Sequence, residues 1–177
     1  CEVDYFMTTK ISWNQYNQLP FDVFNWKGVD GTSVLTRFIT AGNPGNPDAT
    51  HAYNGRICAE HIKGAWTNLQ GKQYTRESLV PFGHGDGGGG PTQEMLEQGM
   101  RLQNIRELPL AEFGRIDELM DRTKQGADTF PEWNGELYFE LHRKTSTSQA
   151  RTKRMNRMCE IALHDLEFFA SVAMMLG

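Results

Sequence analysis

In the run Pro81–Thr92, PFGHGDGGGGPT, one carboxylate (Asp86) and one imidazole (His84) sit among six glycines. Backbone without Cβ atoms lets a ligand come close, and a carboxyl placed there can pass a proton to or from it. Asp86 is therefore the catalytic candidate. His84, two residues away, could tune that acid or bind a sugar hydroxyl, or it could be a loop histidine satisfied by its own surroundings. A plain flexible turn is the alternative for the whole run. Four consecutive glycines, however, are costly to order unless close backbone approach is needed.

The same run matches G-x-G-x-x-G through Gly83, Gly85 and Gly88. A nucleotide-binding α/β module built on Gly83–Gly88 is accordingly the second reading. Asp86 opposes it, since a pyrophosphate cradle needs amides and a helix dipole rather than a fixed negative charge. No Lys-Ser or Lys-Thr pair follows the last glycine, so the run is not a P-loop. The remaining histidines, His51, His61, His142 and His164, show no H-x-H, H-x-D or H-E-x-x-H spacing, and no metal ligands are assigned within the chain. Trp13, Trp26 and Trp133 suit either a core or a sugar-stacking face. Arg151, Lys153, Arg154 and Arg157 read as a solvated helix face.

The elements that must position these groups follow from periodicity. Val3–Ile11, Phe21–Trp26 and Val34–Thr40 alternate as strands, and Glu77–Phe82 reads as a strand entering the glycine loop. Gly42–Asp48, GNPGNPD, is a loop by composition. Gly55–Leu69 carries Ile57, Cys58, Ile62, Ala65, Trp66 and Leu69 at helical steps. A helix with Pro91 in its first turn should leave the glycine loop and run from Thr92 to about Asn104, and another should cover Leu110–Lys124. Strands alternating with helices predict an α/β unit with a largely parallel sheet, too short here to close a barrel alone. From Pro131 the texture changes. Ser146–Gln149 fits an S-x-x-Q capping box. Beyond it Met155, Cys159, Ala162, Leu166, Phe169, Ala173 and Leu176 repeat like a bundle seam. The expected division is 1–130 for the α/β part and 131–177 for a helical part.

Composition narrows the partners. With 18 basic and 22 acidic residues in 177, a net charge of −4 and a pI near 5.7, the chain is no generic polyanion binder, so nucleic acid is not expected. No apolar run approaches the roughly 20 residues of a membrane span, and no leader pattern opens the chain. Cys1, Cys58 and Cys159 lack C-x-x-C spacing and read as thiols of a reducing compartment, the cytoplasm. The chain opens at Cys1 inside a strand-like pattern, which suggests an internal fragment of something longer.

Three blocks carry a resemblance. LVPFGHGDGGGGPTQEML (Leu79–Leu96), GELYFELHRKTSTSQARTKRMNRMCE (Gly135–Glu160) and TTKISWNQYNQLPFDVFNWKGVDGTSVLTRF (Thr8–Phe38) together resemble the alpha-mannosidases of glycoside hydrolase family 38, of the yeast vacuolar and cytosolic type. The resemblance implies the end portion of a (β/α) barrel-type catalytic domain followed by the first helix of a helical bundle. It implies a retaining, zinc-dependent exo-glycosidase that removes terminal alpha-linked mannose from glycans, the full-length enzyme being open to homo-oligomerisation. By position in the block, Asp86 looks like the acid/base residue, with His84, Trp26 and Asp30 (the last two in WKGVDG) as substrate contacts or walls. The family's H-x-D pair, its nucleophilic Asp and its late His would lie outside the chain, so zinc would be bound only in the full-length protein. The expected fragment, taken alone, hydrolyses nothing. Relatives often read R-G-T-Y-T-S where this chain reads Arg143–Ser148, RKTSTS, which removes a Gly and a Tyr from that turn.

Overall fold

The computed structural model describes residues 3–14, 16–42, 53–85, 88–139 and 149–177. It forms two compact units, Cys1–Tyr138 and Phe139–Gly177. The first is a small α/β unit around one four-stranded sheet. Its strands are β1 (Tyr5–Thr8), β2 (Val23–Lys27), β3 (Ser33–Phe38) and β4 (Glu132–Asn134), in the order β1-β3-β2-β4. The sheet thus continues through β4, past residue 130.

The sheet is mixed rather than largely parallel. β1 and β3 are parallel, as are β2 and β4, but β2 and β3 are antiparallel. The reason lies in Gly28–Thr32, which is too short for a crossover and can only reverse the chain. Gly28 N–H donates to Thr32 O at 2.8 Å, Gly31 takes φ +84°, and Asp30 accepts from the Thr32 amide and hydroxyl, each at 3.0 Å. The strand expected over Val3–Ile11 stops at Thr8. There Ser12 Oγ turns back onto Thr9 O at 2.5 Å and a 3-10 turn, Lys10–Trp13, takes over.

Side-chain alternation divides the sheet into two faces. One carries Tyr5, Met7, Val23, Leu35 and Arg37, continued by Ile39 and Ala41. Met120 and Phe130 pack on Val23 and Leu35, while Ala65 packs on Ile39 and Ala41. The other face is aromatic: Phe24 meets Phe38 edge-on at 5.3 Å, and Phe6 lies 5.6 Å from Trp26. Because β3 is covered on both faces, it reads as a nearly unbroken buried run, Leu35–Phe38.

Arg37 is the largest fully buried side chain, at 1% exposure. Its guanidinium donates to Thr123 Oγ1 at 3.1 Å and to Glu77 O. Burial lowers its pKa to about 10, with Glu77 and Asp22 opposing the shift, so it stays charged at neutral pH.

Among the described residues three helices belong to this unit, and two of them, those carrying Ala65 and Met120, pack on the sheet. α1 (Ala59–Thr67) is shorter than Gly55–Leu69, yet it buries Ile62 and Ala65 as the spacing requires. Its last carbonyl is met by Lys72 Nζ, which donates to Thr67 O at 3.1 Å and, just beyond the helix, to Leu69 O at 2.6 Å. α2 (Gln93–Leu102) starts after its cap Thr92, whose Oγ1 accepts from Met95 N–H at 3.2 Å. Pro91 therefore precedes the cap instead of sitting in the first turn. Leu96 is exposed, and the buried position of that helix is Gly99. α3 (Ile116–Lys124) begins later than Leu110, with Asp117 and Glu118 complementing its amide end.

The second unit contains α4 (Ala150–Leu176), 27 residues long. Gln149 occupies its cap position rather than the third helical position of a capping box, and Ser146 lies outside the described residues. The expected seam, Met155 to Leu176, is exposed along its whole length. No described helix is long and apolar enough to cross a membrane.

One buried acid gives the first unit a pH-dependent stability. Asp22 Oδ2 accepts from Gln70 N–H at 2.7 Å and borders a cavity of about 80 Å³ shared with Asn14, Gln18 and Asn68. Burial raises its pKa from 3.8 to about 7 against the lowering effects of the Gln70 amide, Arg37 and Lys72. A raised folded-state pKa means a proton favoured by folding. Its stabilisation is complete below the unfolded value near 4 and is lost as pH rises through about 7. Asp22→Asn keeps an acceptor for Gln70 without the charge, so the variant should gain on the parent, by on the order of a few kcal/mol, between pH 4 and 8. Urea unfolding at both pH values checks this. A stability gap that stays constant with pH would contradict it.

Candidate active site

The segment that leads into the glycine loop is pinned from two sides. Leu79 and Val80 pack on Ile39, Ala41 and Ala65, at the end of the sheet where the parallel strands β1 and β3 finish. Glu77–Phe82 is not a ladder strand. Its pairing is a single parallel bridge between Phe82 and Gly55, in which Gly55 N–H donates to Pro81 O at 2.6 Å. Gly55 is required there, because a Cβ would stand 2.9 Å from Pro81 O and 3.0 Å from Val80 Cγ1.

Phe82 also touches Phe113 at a ring separation of 5.7 Å. Phe113 presses on Gly99 of α2 so closely that a Cβ on Gly99 would lie 2.7 Å from its Cε1. One aromatic side chain thereby meets both the arm that enters the loop and the helix that leaves it.

Within the loop, Gly83 takes φ +130°, a conformation that favours glycine. His84 N–H donates to Gly89 O at 3.1 Å and Gly88 N–H to Gly85 O at 3.0 Å. A Cβ on Gly88 would sit 2.8 Å from that of His84, whereas Gly89 and Gly90 have nothing within 4 Å. Two of the glycines therefore let the loop fold on itself, and two face open space. The His84 side chain is exposed. Asp86 lies outside the described residues.

This geometry offers nothing to the nucleotide-binding alternative. In a dinucleotide fingerprint the loop amides point at phosphate and the helix begins within the glycines. Here the His84 and Gly88 amides already have partners in the loop, and Thr92 caps a helix that starts only at Gln93.

Trp26 and Asp30 belong to the other end of the sheet. Trp26 pairs with Val34 and Trp133, and the β2–β3 turn adjoins the start of β3, whereas the glycine-loop segment meets the sheet where β3 ends. Trp26 Nε1 donates to Gly135 O at 2.8 Å. The two hydrogen bonds from Thr32 hold the exposed Asp30 carboxylate below the usual carboxylate range. Asp30 thus holds the β2–β3 turn and Trp26 ties β2 to the chain after β4, at the end of the sheet away from the loop segment. Trp13 follows β1, and Lys10 Nζ lies 4.5 Å above its ring and 5.8 Å from that of Tyr53.

Among the described residues no group of three or more His, Cys, Asp or Glu comes together to hold a metal. His61, whose Nδ1 lies near Gly55, accepts the Arg56 N–H there at 3.0 Å. Its pKa is lowered by burial and then by the Arg56 charge. The described residues therefore do not fit zinc.

Residues 1–136 match the model of the glycosyl hydrolases family 38 N-terminal domain. The chain is 41% identical to "Alpha-mannosidase" of Saccharomyces cerevisiae over 96% of its length and 16% of that protein. It is 40% identical to "Alpha-mannosidase G" of Dictyostelium discoideum over 96% of the chain and 15% of the relative. With "Alpha-mannosidase 2C1" of Mus musculus the identity is 38%, over 98% and 16% respectively. The chain spans about a sixth of the length of these curated relatives. It belongs to glycosyl hydrolase family 38.

The glycines divide into two kinds, and substitution should separate them. Gly55→Ala forces a Cβ onto Pro81 O and Val80, an overpacking that costs about 1–3 kcal/mol. Gly89→Ala meets no atom and should stay within about 0.5 kcal/mol of the parent. Thermal unfolding of both variants checks the contrast. Equal melting temperatures would show that the Gly55 bridge does not constrain the loop segment.

Proposed function

We propose that this family 38 chain is part of a retaining, exo-acting alpha-mannosidase that hydrolyses terminal alpha-linked mannose from glycans, and that its glycine loop supplies the acid/base carboxyl, Asp86. The observation that carries this reading is 41% identity over 96% of the chain to a protein named an alpha-mannosidase, with the glycine loop inside the matched family domain. The placement of the loop segment where the parallel strands β1 and β3 end supports it further, since barrel-type glycosidases keep their chemistry at the carboxyl ends of their strands.

In this reading Asp86 gives its proton to the departing glycosidic oxygen while a carboxylate outside the chain attacks the sugar. Asp86 then takes a proton from the water that releases the glycosyl-enzyme. His84, exposed beside it in sequence, would bind a sugar hydroxyl. Trp26 and Asp30, at the other end of the sheet from the loop segment, would support the hairpin and not line the site that holds Asp86. A metal cofactor, the closure of the sheet into a barrel by other parts of the enzyme, the start of a helical bundle at α4 and a cytoplasmic location all belong to the same proposal.

The test uses the full-length enzyme and two mannosides. Asp86→Asn should lower kcat for a poor alkyl leaving group by about 10²–10⁴-fold, the usual worth of a general acid. A dinitrophenyl leaving group needs no proton, so its first step should be largely spared. Equal losses on both substrates would assign Asp86 to binding instead. The 177-residue chain by itself should release no nitrophenol from an alpha-mannoside; release that Asp86→Asn abolishes would overturn the need for an external nucleophile.

A further inference from the structure

We propose that Lys10, Trp13 and Tyr53 form a platform for a second sugar of the glycan, the ring on the leaving-group side of the bond that is cut. The inference rests on the reading of the chain as part of an exo-acting alpha-mannosidase and adds a subsite to it. An exo-acting enzyme takes the terminal residue, so every further sugar lies on the leaving side.

Three observations carry it. Lys10 Nζ stands 4.5 Å above the centre of the Trp13 ring and 5.8 Å from that of Tyr53, which gathers an ammonium and two aromatic rings at one spot. Lys10 and Tyr53 are exposed and Trp13 is half-buried, so the cluster is open to solvent and belongs to neither core cluster of the sheet. It also lies at the end of the sheet where β1 and β3 finish and on which Leu79 and Val80 pack.

The pieces of chain that carry the three side chains are tied down. Lys10 N–H donates to Thr8 Oγ1 at 3.1 Å, and Thr8 O accepts the Ile39 N–H at 2.9 Å, which fixes the 3-10 turn to the end of β3. On the other side, Tyr53 shortly precedes Gly55, whose N–H donates to Pro81 O at 2.6 Å in the bridge with Phe82. The arm that feeds the glycine loop is thus held beside the platform.

The chemistry fits a neutral carbohydrate. An aromatic ring has a negative face, on which the slightly positive C–H bonds of a pyranose can lie. An ammonium adds three hydrogen-bond donors for hydroxyl groups. A cation over an exposed aromatic ring contributes little to stability by itself, so folding alone gives little reason to gather these three groups.

The test compares alpha-linked mannobiose with methyl alpha-mannoside in the full-length enzyme, reading the ratio of their kcat/KM values. Both substrates need the same reacting centre, so general damage to it cancels in the ratio. Trp13→Ala and Tyr53→Ala should each lower the ratio about tenfold, and Lys10→Gln about fivefold, chiefly through a higher KM for mannobiose. Trp13→Phe keeps a ring face and should restore most of the loss. Lys10 and Tyr53 are exposed, so their substitution leaves the fold intact. A ratio that stays at the parent value in Tyr53→Ala and Lys10→Gln overturns the platform, because a purely structural cluster would weaken both substrates alike. The parent enzyme separates the two levels. If it cleaves neither substrate, the mannosidase reading falls and this inference with it; if it cleaves both while the ratio holds in the variants, only the platform falls.

Discussion

A guanidinium buried in the middle of the sheet sets the terms for the rest of the first unit. Arg37 projects from the central strand β3 and reaches Thr123 of α3 and the main chain of Glu77. Leaving a buried charge with a missing partner costs several kcal/mol, far more than any single apolar contact in the neighbourhood supplies. The sheet, α3 and the segment that feeds the glycine loop are therefore bound to a common point and are not free to choose their spacing independently. The Arg122–Glu77 ion pair at 3.0 Å closes the same junction from the solvent side, where both partners are about half exposed and its own worth is small.

That constraint explains why the sequence was legible in some places and opaque in others. The alternation in Phe21–Trp26 and Val34–Thr40 identified β2 and β3 because burial on the sheet imposes period two on any strand. The helical spacing of Ile62 and Ala65 identified α1 in the same way. The parallel arrangement expected of these strands failed at Gly28–Thr32, where turn chemistry decided the direction and the hydrophobic pattern carried no information about it. Arg37 and Asp22 were invisible for a different reason. Charged residues in a strand pattern look like a solvated face, and only tertiary packing turns them inward.

The site shows the same division. Its glycine run, with His84 inside it, stands out in composition, and the three resemblance blocks led to the family. Asn54 and Gly55 stood out in neither way, because what gives them meaning is a lone bridge to Phe82 and a close approach to Gly85. A motif search sees residues that are unusual in sequence. It misses ordinary residues made important by what lies across from them. Trp26 and Asp30 illustrate the converse: a conspicuous motif, WKGVDG, whose hydrogen bonds first of all close a turn and tie β2 to the chain after β4.

The three-residue strand β4 has a consequence for how the chain comes together in time. It pairs with β2, Asn25 opposite Glu132, and the bonds around it span 102 to 109 residues of sequence. Contacts of that separation reward the chain only after most of its conformational freedom has been given up, which slows folding. During synthesis β1, β2 and β3 leave the ribosome long before β4 exists. One flank of β2 must therefore wait with unpaired main-chain groups, an adhesive edge for any neighbouring strand. A very short last strand limits what that wait requires at its end. Little has to be displaced for the final few residues to dock.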